Sequence, residues 1–225
     1  MIDTELNFAI LPFGTGNDLY AGLYGKRSVK DQIDHIFKGK TSETDAIYIP
    51  ELDLYTMNIL SFGADANVVF QANDFKEKNK FLQKYAYMAS IPKALQAGTA
   101  FYIDLTARKD GAELKLMERP YILTALCNGT MYGGGFQINP YGQVNDGLLE
   151  LVYVQTMPMR KIWTFLYKFF TGNHEDLEKL RSVPCDEVVY TSKDGSPMII
   201  NYDGEIYQLP TFTCQVKKHA YKRII

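Results

Sequence analysis

The chain has 225 residues, of which 46% are hydrophobic, and a formal net charge of −2. This length and apolar content suffice for one large domain or two small ones with a sizeable core. A dedicated nucleic-acid-binding domain would usually carry a basic excess, so the near-neutral charge argues against that class.

The N-terminus and the cysteines predict a protein of the reducing cytoplasm. The first residues, MIDTELNFAIL, lack the basic region of a signal peptide. No apolar run reaches the roughly 18 residues that a membrane span needs. Cys127, Cys185 and Cys214 are too widely spaced for a CxxC metal site or a disulfide framework.

A glycine-rich stretch follows the first predicted strand. Phe8–Leu11 is an apolar run typical of a short buried strand, and Gly14-Thr15-Gly16-Asn17-Asp18 comes between it and a predicted helix. This arrangement can present backbone N–H groups to a phosphate. An ordinary turn, with Asn17 or Asp18 capping the helix, explains the same residues. These five residues alone leave both interpretations open.

The remaining elements divide the chain near residues 40–50, with a short helical part before a mostly β part. Lys26–Lys40 has helical periodicity and ends near Gly39. Further helices are predicted within 67–79, where a solvated loop follows, and over 81–96 and 160–172. Strands are predicted at Thr44–Ile49, Leu52–Phe62, Phe101–Ala107, Glu113–Glu118, Tyr121–Cys127, Phe136–Pro140, Gly147–Gln155, Val188–Thr191, Met198–Tyr202, Glu205–Leu209 and Thr211–Val216.

Six segments resemble, in the same order, the diacylglycerol kinase-like lipid kinases, the superfamily of bacterial diacylglycerol kinases and sphingosine kinases. One such motif would be a weak signal, but six in order over nearly the whole chain are specific. The segments are LPFGTGNDLYAGL, TDAIYI with YTMNILSFGADANVV, KYAYMASIPKAL, CNGTMYGGGFQINPYGQVNDGLLELVYV, FTGNHEDLEKL and NYDGE.

The resemblance implies an α+β fold and a kinase active site between two domains. Residues 1–45 would be the remnant of an α/β nucleotide-binding domain. Residues 46–225 would form a β-sandwich-like, mainly antiparallel domain with a few helices. The implied activity is transfer of the γ-phosphate of ATP to the hydroxyl of diacylglycerol or a related lipid. The implied partners are the lipid substrate, a membrane surface contacted peripherally and a second copy of the chain in a homodimer, without nucleic acid.

The resemblance also implies roles for the glycine-rich stretch. Gly14, Thr15, Gly16 and Asn17 would hold the phosphates or ribose of ATP, and Asp18 would support the loop.

The carboxylates near the end of the chain carry the implied chemistry. Asp203 would be the general base, and Glu205 would hold Mg²⁺ or orient that base. Asp146 would bind a structural Mg²⁺, with the carbonyls of Gln143 and Leu148 as co-ligands. Carboxylates and carbonyls suit Mg²⁺, and phosphoryl transfer needs a carboxylate near the attacking hydroxyl. A plain hairpin turn also explains Asp203 and Asp146, because each precedes a glycine.

The chain departs from the family pattern in its first part. The Gly-Gly-Asp-Gly-Thr nucleotide loop of the family is absent, and seven residues precede the first predicted strand. We therefore expect a truncated chain without kinase activity on its own, although a natural short paralogue fits as well. The alternative function is a non-catalytic lipid- or protein-binding module. NAD kinase shares the general architecture, but the segment 128–150 and the Asp-Gly-Glu motif argue against it.

One helix offers a candidate membrane contact. Within 160–172, basic residues stand beside aromatic ones, and an amphipathic helix packed on the sheet is the favoured interpretation. The residues concerned are Arg160, Lys161, Trp163, Phe165, Lys168, Phe169 and Phe170.

Overall fold

A computed structural model describes residues 2, 4, 6–14, 16–78, 86–98, 100–117, 120–173 and 177–225. The helices are α1 (Asp18–Tyr24), α2 (Val29–Lys38), α3 (Ala64–Lys78), α4 (Ala86–Ala97) and α5 (Met159–Thr171). The strands are β1 (Asn7–Phe8), β2 (Thr41–Ile49), β3 (Leu54–Thr56), β4 (Ile59–Gly63), β5 (Ile103–Lys109), β6 (Ala112–Glu113), β7 (Tyr121–Cys127), β8 (Leu149–Gln155), β9 (Leu180–Cys185), β10 (Glu187–Ser192), β11 (Met198–Tyr202), β12 (Glu205–Leu209) and β13 (Thr211–Ile224).

Two sheets and a helical layer make up the fold. The first sheet has the order β3-β2-β13-β10-β5-β6, with β1 parallel to β13, and the second has the order β12-β11-β4-β7-β8-β9. Every other pairing between the described strands is antiparallel. This architecture confirms the predicted α+β fold with a mainly antiparallel, β-sandwich-like domain.

The central strands of the second sheet, β4 and β7, are buried on both faces. One apolar cluster joins residues of both sheets, such as Ile47 and Leu126. A second cluster joins the other face of the sheet to α4 and α5, through Ile91 and Phe165. The central strand β7 is therefore buried at all its positions, and it lacks the alternation typical of half-exposed strands.

Helix ends follow the expected local chemistry. Ser28 caps α2 by accepting the backbone N–H of Asp31 at 3.1 Å, and Gly39 ends the helix with φ of 68°. Pro92 lies inside α4 without ending it. Among the described helices, none combines the length and apolarity needed to cross a membrane.

The predicted strand over 52–62 is wrong, because the chain changes sheets within it. A 3₁₀ turn at Pro50–Leu52 precedes β3 in the first sheet, and β4 lies in the second. Between them, the backbone N–H groups of Met57 and Ile59 donate to the carboxylate of Asp203. The carboxylate of Asp203, distant in sequence, therefore interrupts a segment whose own residue pattern predicts one continuous strand.

Other differences concern irregular segments. Phe136–Pro140 is not a strand; Phe136 forms one isolated bridge with Tyr132. The first predicted strand is reduced to β1, and the predicted strand over 211–216 extends to Ile224. The edge strand β9 was not predicted. The first part of the predicted helix over 81–96 lies outside the described residues.

Gly63→Ala should destabilise the fold by about 3 kcal/mol or more. Gly63 ends β4 with φ of 117°, and an added Cβ would lie 2.5 Å from the carbonyl oxygen of Ile122 and 2.8 Å from the Cα of Leu123. Chemical denaturation measures the change. Gly195→Ala is the matched control, because Gly195 also has positive φ but faces open space; it should cost about 1 kcal/mol. Equal losses would contradict the steric explanation.

Candidate active site

A cavity of about 430 Å³ lies where α1, the second sheet and the covering helices meet. Its polar end carries Asn17, Asp18, Asn201 and Asp203. The structure therefore brings three predicted nucleotide-loop residues, Gly16, Asn17 and Asp18, and the predicted base to one cavity. Much of the remaining lining is apolar, and we call this part the apolar chamber; it comprises Val68, Ile91, Leu95, Ile122, Ile162, Phe165, Leu166 and Phe169.

Asp203 occupies a hairpin turn and also faces the cavity. Asp203 and Gly204 both have positive φ, 46° and 95°, as in the two-residue turn that joins β11 to β12. The Oδ2 atom accepts the N–H of Met57 at 2.9 Å, and Oδ1 accepts the N–H of Ile59 at 3.3 Å. Burial of the carboxylate raises the pKa of Asp203, and these backbone donors oppose the rise.

The glycine-rich loop is closed by one of its own side chains. Asn17 has φ of 55°, and its Oδ1 accepts the N–H of Gly14 at 2.8 Å. Gly16 and Asn17 line the cavity. Thr15 lies outside the described residues.

Asp18 links this loop to a second glycine-rich segment. Its Oδ2 accepts the N–H of Gly134 at 2.8 Å. Gly133, Gly134 and Gly135 all have positive φ, so this approach depends on residues without a Cβ. Burial raises the pKa of Asp18, and the N–H groups of Gly134 and Gly135 oppose the rise. The predicted supporting role of Asp18 thus has a defined partner 116 residues away.

Asp65 and Tyr132 form a pair in the cavity that sequence reasoning missed. The hydroxyl of Tyr132 donates to Asp65 Oδ2 at 2.8 Å. Asp65 Oδ1 is buried, and it has no hydrogen-bond partner among the described residues. Burial raises the pKa of both groups. The available signal was a carboxylate in the first turn of a helix that directly follows an apolar strand.

Asp45 was also missed, although it organises the region beside the cavity. Its side chain is fully buried, and its two oxygens accept the N–H groups of Gly147 and His219, each at 2.8 Å. Its own N–H donates to the carbonyl of Val144 at 2.7 Å. Asp45 therefore fixes the Asp146-Gly147 turn against β13. The signal in the sequence was a charged residue directly before the apolar run 46–49 of β2.

The amides of Asn58 and Asn128 fill the point where the chain changes sheets. Asn128 Nδ2 donates to the carbonyls of Asp45 and Met57, each at 2.8 Å. The N–H groups of Asn128 and Gly129 donate to the carbonyl of Asn58. A Cβ on Gly129 would lie 2.0 Å from Asn58 Oδ1, so only glycine fits. This packing explains why an Asn-Gly pair follows β7.

The other predicted carboxylates lie away from this cavity. Glu205 is exposed at the start of β12 and does not line it. Asp146 is exposed, and its Oδ1 accepts the N–H of Leu148 at 3.0 Å. Gln143, Asp146 and Leu148 line a second, open cavity of about 530 Å³. Within the described part of the chain, no group of three or more His, Cys, Asp or Glu residues could hold a metal ion.

Comparison with known proteins agrees with the fold. Residues 58–221 match the domain family described as the YegS C-terminal NAD kinase beta sandwich-like domain. A probable lipid kinase YegS-like protein of Alcanivorax borkumensis is 25% identical over 226 residues, 98% of this chain and 70% of that protein. A diacylglycerol kinase of Mycobacterium tuberculosis is 25% identical over 191 residues, 82% of this chain and 59% of that protein.

A solved structure shows the same fold. The crystal structure of a diacylglycerol kinase from Bacillus anthracis superposes with a TM-score of 0.65 at 15% identity, over 99% of this chain and 68% of that one. Together, these matches define a kinase-related β-sandwich domain. The chain belongs to the diacylglycerol kinase-like family of lipid kinases, which confirms the resemblance of its six motifs.

Asp45→Asn should destabilise the protein by about 2–3 kcal/mol. An asparagine offers one acceptor oxygen, so one of the N–H groups of Gly147 and His219 would face an NH₂ donor. Thermal and chemical unfolding measure the change. Asp34→Asn, at an exposed position on α2, is the control and should stay within about 0.5 kcal/mol of the parent. A parent-like Asp45→Asn variant would contradict this role.

Proposed function

We propose that the protein is an ATP-dependent lipid kinase that phosphorylates the hydroxyl of diacylglycerol or a related lipid. One observation carries the proposal: a single cavity joins the glycine-rich loop, the Asp203 carboxylate and an apolar chamber. An amphiphile with a hydroxyl headgroup suits such a cavity, because its two ends need a polar and an apolar environment.

The chamber accounts for the apolar part of the substrate. Side chains such as Phe165 and Phe169 present carbon surface from α5, and Ile91 does so from α4. Burial of methylene groups there contributes about 0.8 kcal/mol for each CH₂. This free energy would hold the lipid with its headgroup toward Asp203.

Two carboxylates would act on the headgroup. Asp203 would accept the proton of the attacking hydroxyl while the lipid oxygen bonds to the γ-phosphorus and the bond to the bridging oxygen of ADP breaks. Asp65 Oδ1, which has no partner among the described residues, would accept a hydrogen bond from a second headgroup donor. Since phosphoryl transfer depends mainly on positioning and charge stabilisation, two fixed acceptors suit the reaction.

The glycine-rich loop would bind the second substrate, ATP. Gly14, Thr15, Gly16 and Asn17 would contact its phosphates or ribose. The closed loop supports this role, because the bond between Asn17 and Gly14 fixes the backbone beside the cavity. Asp18 would keep the loop in position through Gly134.

A structural Mg²⁺ at Asp146 fits the donor set. Mg²⁺ commonly binds one or two carboxylates and keeps several waters. Asp146 offers one carboxylate, and Gln143 and Leu148, whose carbonyls would be co-ligands, line the same solvent-open cavity. When bound there, the ion would neutralise the carboxylate and brace the turn that Asp45 holds. Glu205, exposed beside the Asp203 turn, would hold a second Mg²⁺ or orient the base.

Asp203→Asn should lower kcat by about 10²–10⁴-fold, because the base is lost. The assay follows ATP-dependent phosphorylation of diacylglycerol by the product of the full reading frame. In the parent, a raised pKa of Asp203 means that the base is protonated at a higher pH than an ordinary aspartate, whose pKa is about 3.9. Activity should therefore fall on the acid side with a midpoint above that value.

The control for Asp203 is Asp194→Asn. Asp194 also precedes a glycine in a turn, but it does not line the cavity, and hydrogen bonds from Ser196 and Ser192 lower its pKa to about 2. This variant should keep parent activity. Full activity in Asp203→Asn would remove Asp203 as the base. A full-length product that binds lipid and phosphorylates none would favour the non-catalytic alternative.

Asp65→Asn should lower kcat/KM about tenfold, because the substrate headgroup loses one hydrogen bond to a charged acceptor. The substitution keeps an oxygen for Tyr132 but replaces a carboxylate oxygen in the cavity. Tyr132→Phe is the control, since it removes the hydroxyl and leaves the carboxylate. The expected order of kcat/KM is parent, then Tyr132→Phe, then Asp65→Asn. The reverse order would contradict a substrate contact at Asp65.

A further inference from the structure

Helix α5 has one apolar face inside the protein and a second one outside. Ile162, Phe165 and Phe169 are buried and line the chamber. Two aromatic residues of the predicted membrane contact, Phe165 and Phe169, thus face inward and are not available to a membrane.

The outward face carries a stripe of large apolar side chains. Met159, Trp163 and Tyr167 follow at intervals of four residues, and Phe170 completes the same face. Their exposed fractions are 48%, 56%, 69% and 54%. Single exposed apolar residues are ordinary, but four on one helix face form a contiguous patch, which marks an interaction surface. We call these four residues the aromatic stripe.

Positive charge borders the aromatic stripe. Arg160, Lys161 and Lys168 are the charged residues of α5, which contains no aspartate or glutamate. Arg160 and Lys161 are exposed in the first turn. The nearby acidic residues, Glu175, Asp176 and Glu178, follow the other end of the helix in the sequence. The start of α5 therefore combines exposed aromatic and basic side chains.

The aromatic stripe is continuous with the wall of the cavity. The ring of Phe170 meets the ring of Phe136 edge to face, with centroids 5.8 Å apart. Phe136 and Gly133 line the cavity. A surface that covered the stripe would therefore lie beside the chamber that the inner face of α5 lines.

We propose that the aromatic stripe docks on the surface of an anionic lipid bilayer. Tryptophan and tyrosine are favoured at the boundary between headgroups and acyl chains, and basic residues beside them attract anionic headgroups. The continuity of the stripe with the wall of the apolar chamber favours a bilayer over a protein partner. This surface would also deliver the substrate from the membrane into the chamber, and that role rests on the proposed lipid kinase function.

Trp163 gives a direct test, because it is the one tryptophan of the chain. The 225-residue protein is titrated with phosphatidylglycerol vesicles that contain neither diacylglycerol nor ATP, and with phosphatidylcholine vesicles. The emission of Trp163 should shift to shorter wavelength and resist aqueous quenchers on the anionic vesicles, with weaker binding to the zwitterionic ones. An unchanged spectrum on anionic vesicles would overturn the proposal.

Two sets of variants separate the contributions to docking. Arg160→Gln with Lys161→Gln should weaken vesicle binding about 30-fold, since each basic residue near the surface contributes about 1 kcal/mol. Tyr167→Ser with Phe170→Ser should abolish the spectral shift while circular dichroism stays unchanged. Lys30→Gln with Lys38→Gln, an exposed basic pair on α2, is the control and should bind as the parent. Equal weakening in the control would overturn the assignment to α5.

The remaining outcomes identify what covers the aromatic stripe and separate a failure of docking from a failure of the proposed function. A spectral shift that depends on protein concentration without vesicles, with a faster-sedimenting species, would overturn the proposal in favour of a second copy of the chain. Phosphorylation of dissolved short-chain diacylglycerol by the full-length protein without docking would overturn this inference and leave the proposed function standing. Docking of the 225-residue chain, together with a folded full-length protein that phosphorylates no lipid, would support this inference and contradict the function.

Discussion

The structure depends on one carboxylate at the point where the chain passes from one sheet to the other. Asp203 accepts the N–H groups of Met57 and Ile59, at the point where β3 has ended and β4 begins. The same turn faces the cavity. The group that joins the two sheets is therefore also the group proposed to act on the substrate, so its position is fixed by the fold itself.

A buried polar network extends from this junction to the outer parts of the site. Asn128 connects the carbonyls of Met57 and Asp45, and Asp45 holds the turn at Gly147. On the opposite side, Asp18 holds the segment that contains Gly134. Each link joins backbone to a buried or half-buried side chain across long sequence distances. Positions in the cavity are thus set by hydrogen bonds that require the whole domain to be folded.

Much of the fold could be predicted from local pattern, and the junction could not. The strands β7, β11 and β12 begin and end where apolar runs and turn residues indicate. The run over 54–62 reads as one strand, because only Asp203, far along the chain, divides it. The edge strand β9 carries exposed polar residues and Pro184, which obscure its pattern. Asp65 and Asp45 escaped notice for the same reason, since their partners are distant in sequence.

The central claim is that this cavity presents a lipid hydroxyl to Asp203 beside an ATP loop. Its most direct test is a phosphorylation assay with γ-labelled ATP and a panel of lipids, using the product of the full reading frame. The account predicts label on a lipid that combines a free hydroxyl with an acyl chain, such as diacylglycerol, and none on the matching lipid whose hydroxyl is methylated. A folded, full-length protein that labels no lipid of the panel would contradict it.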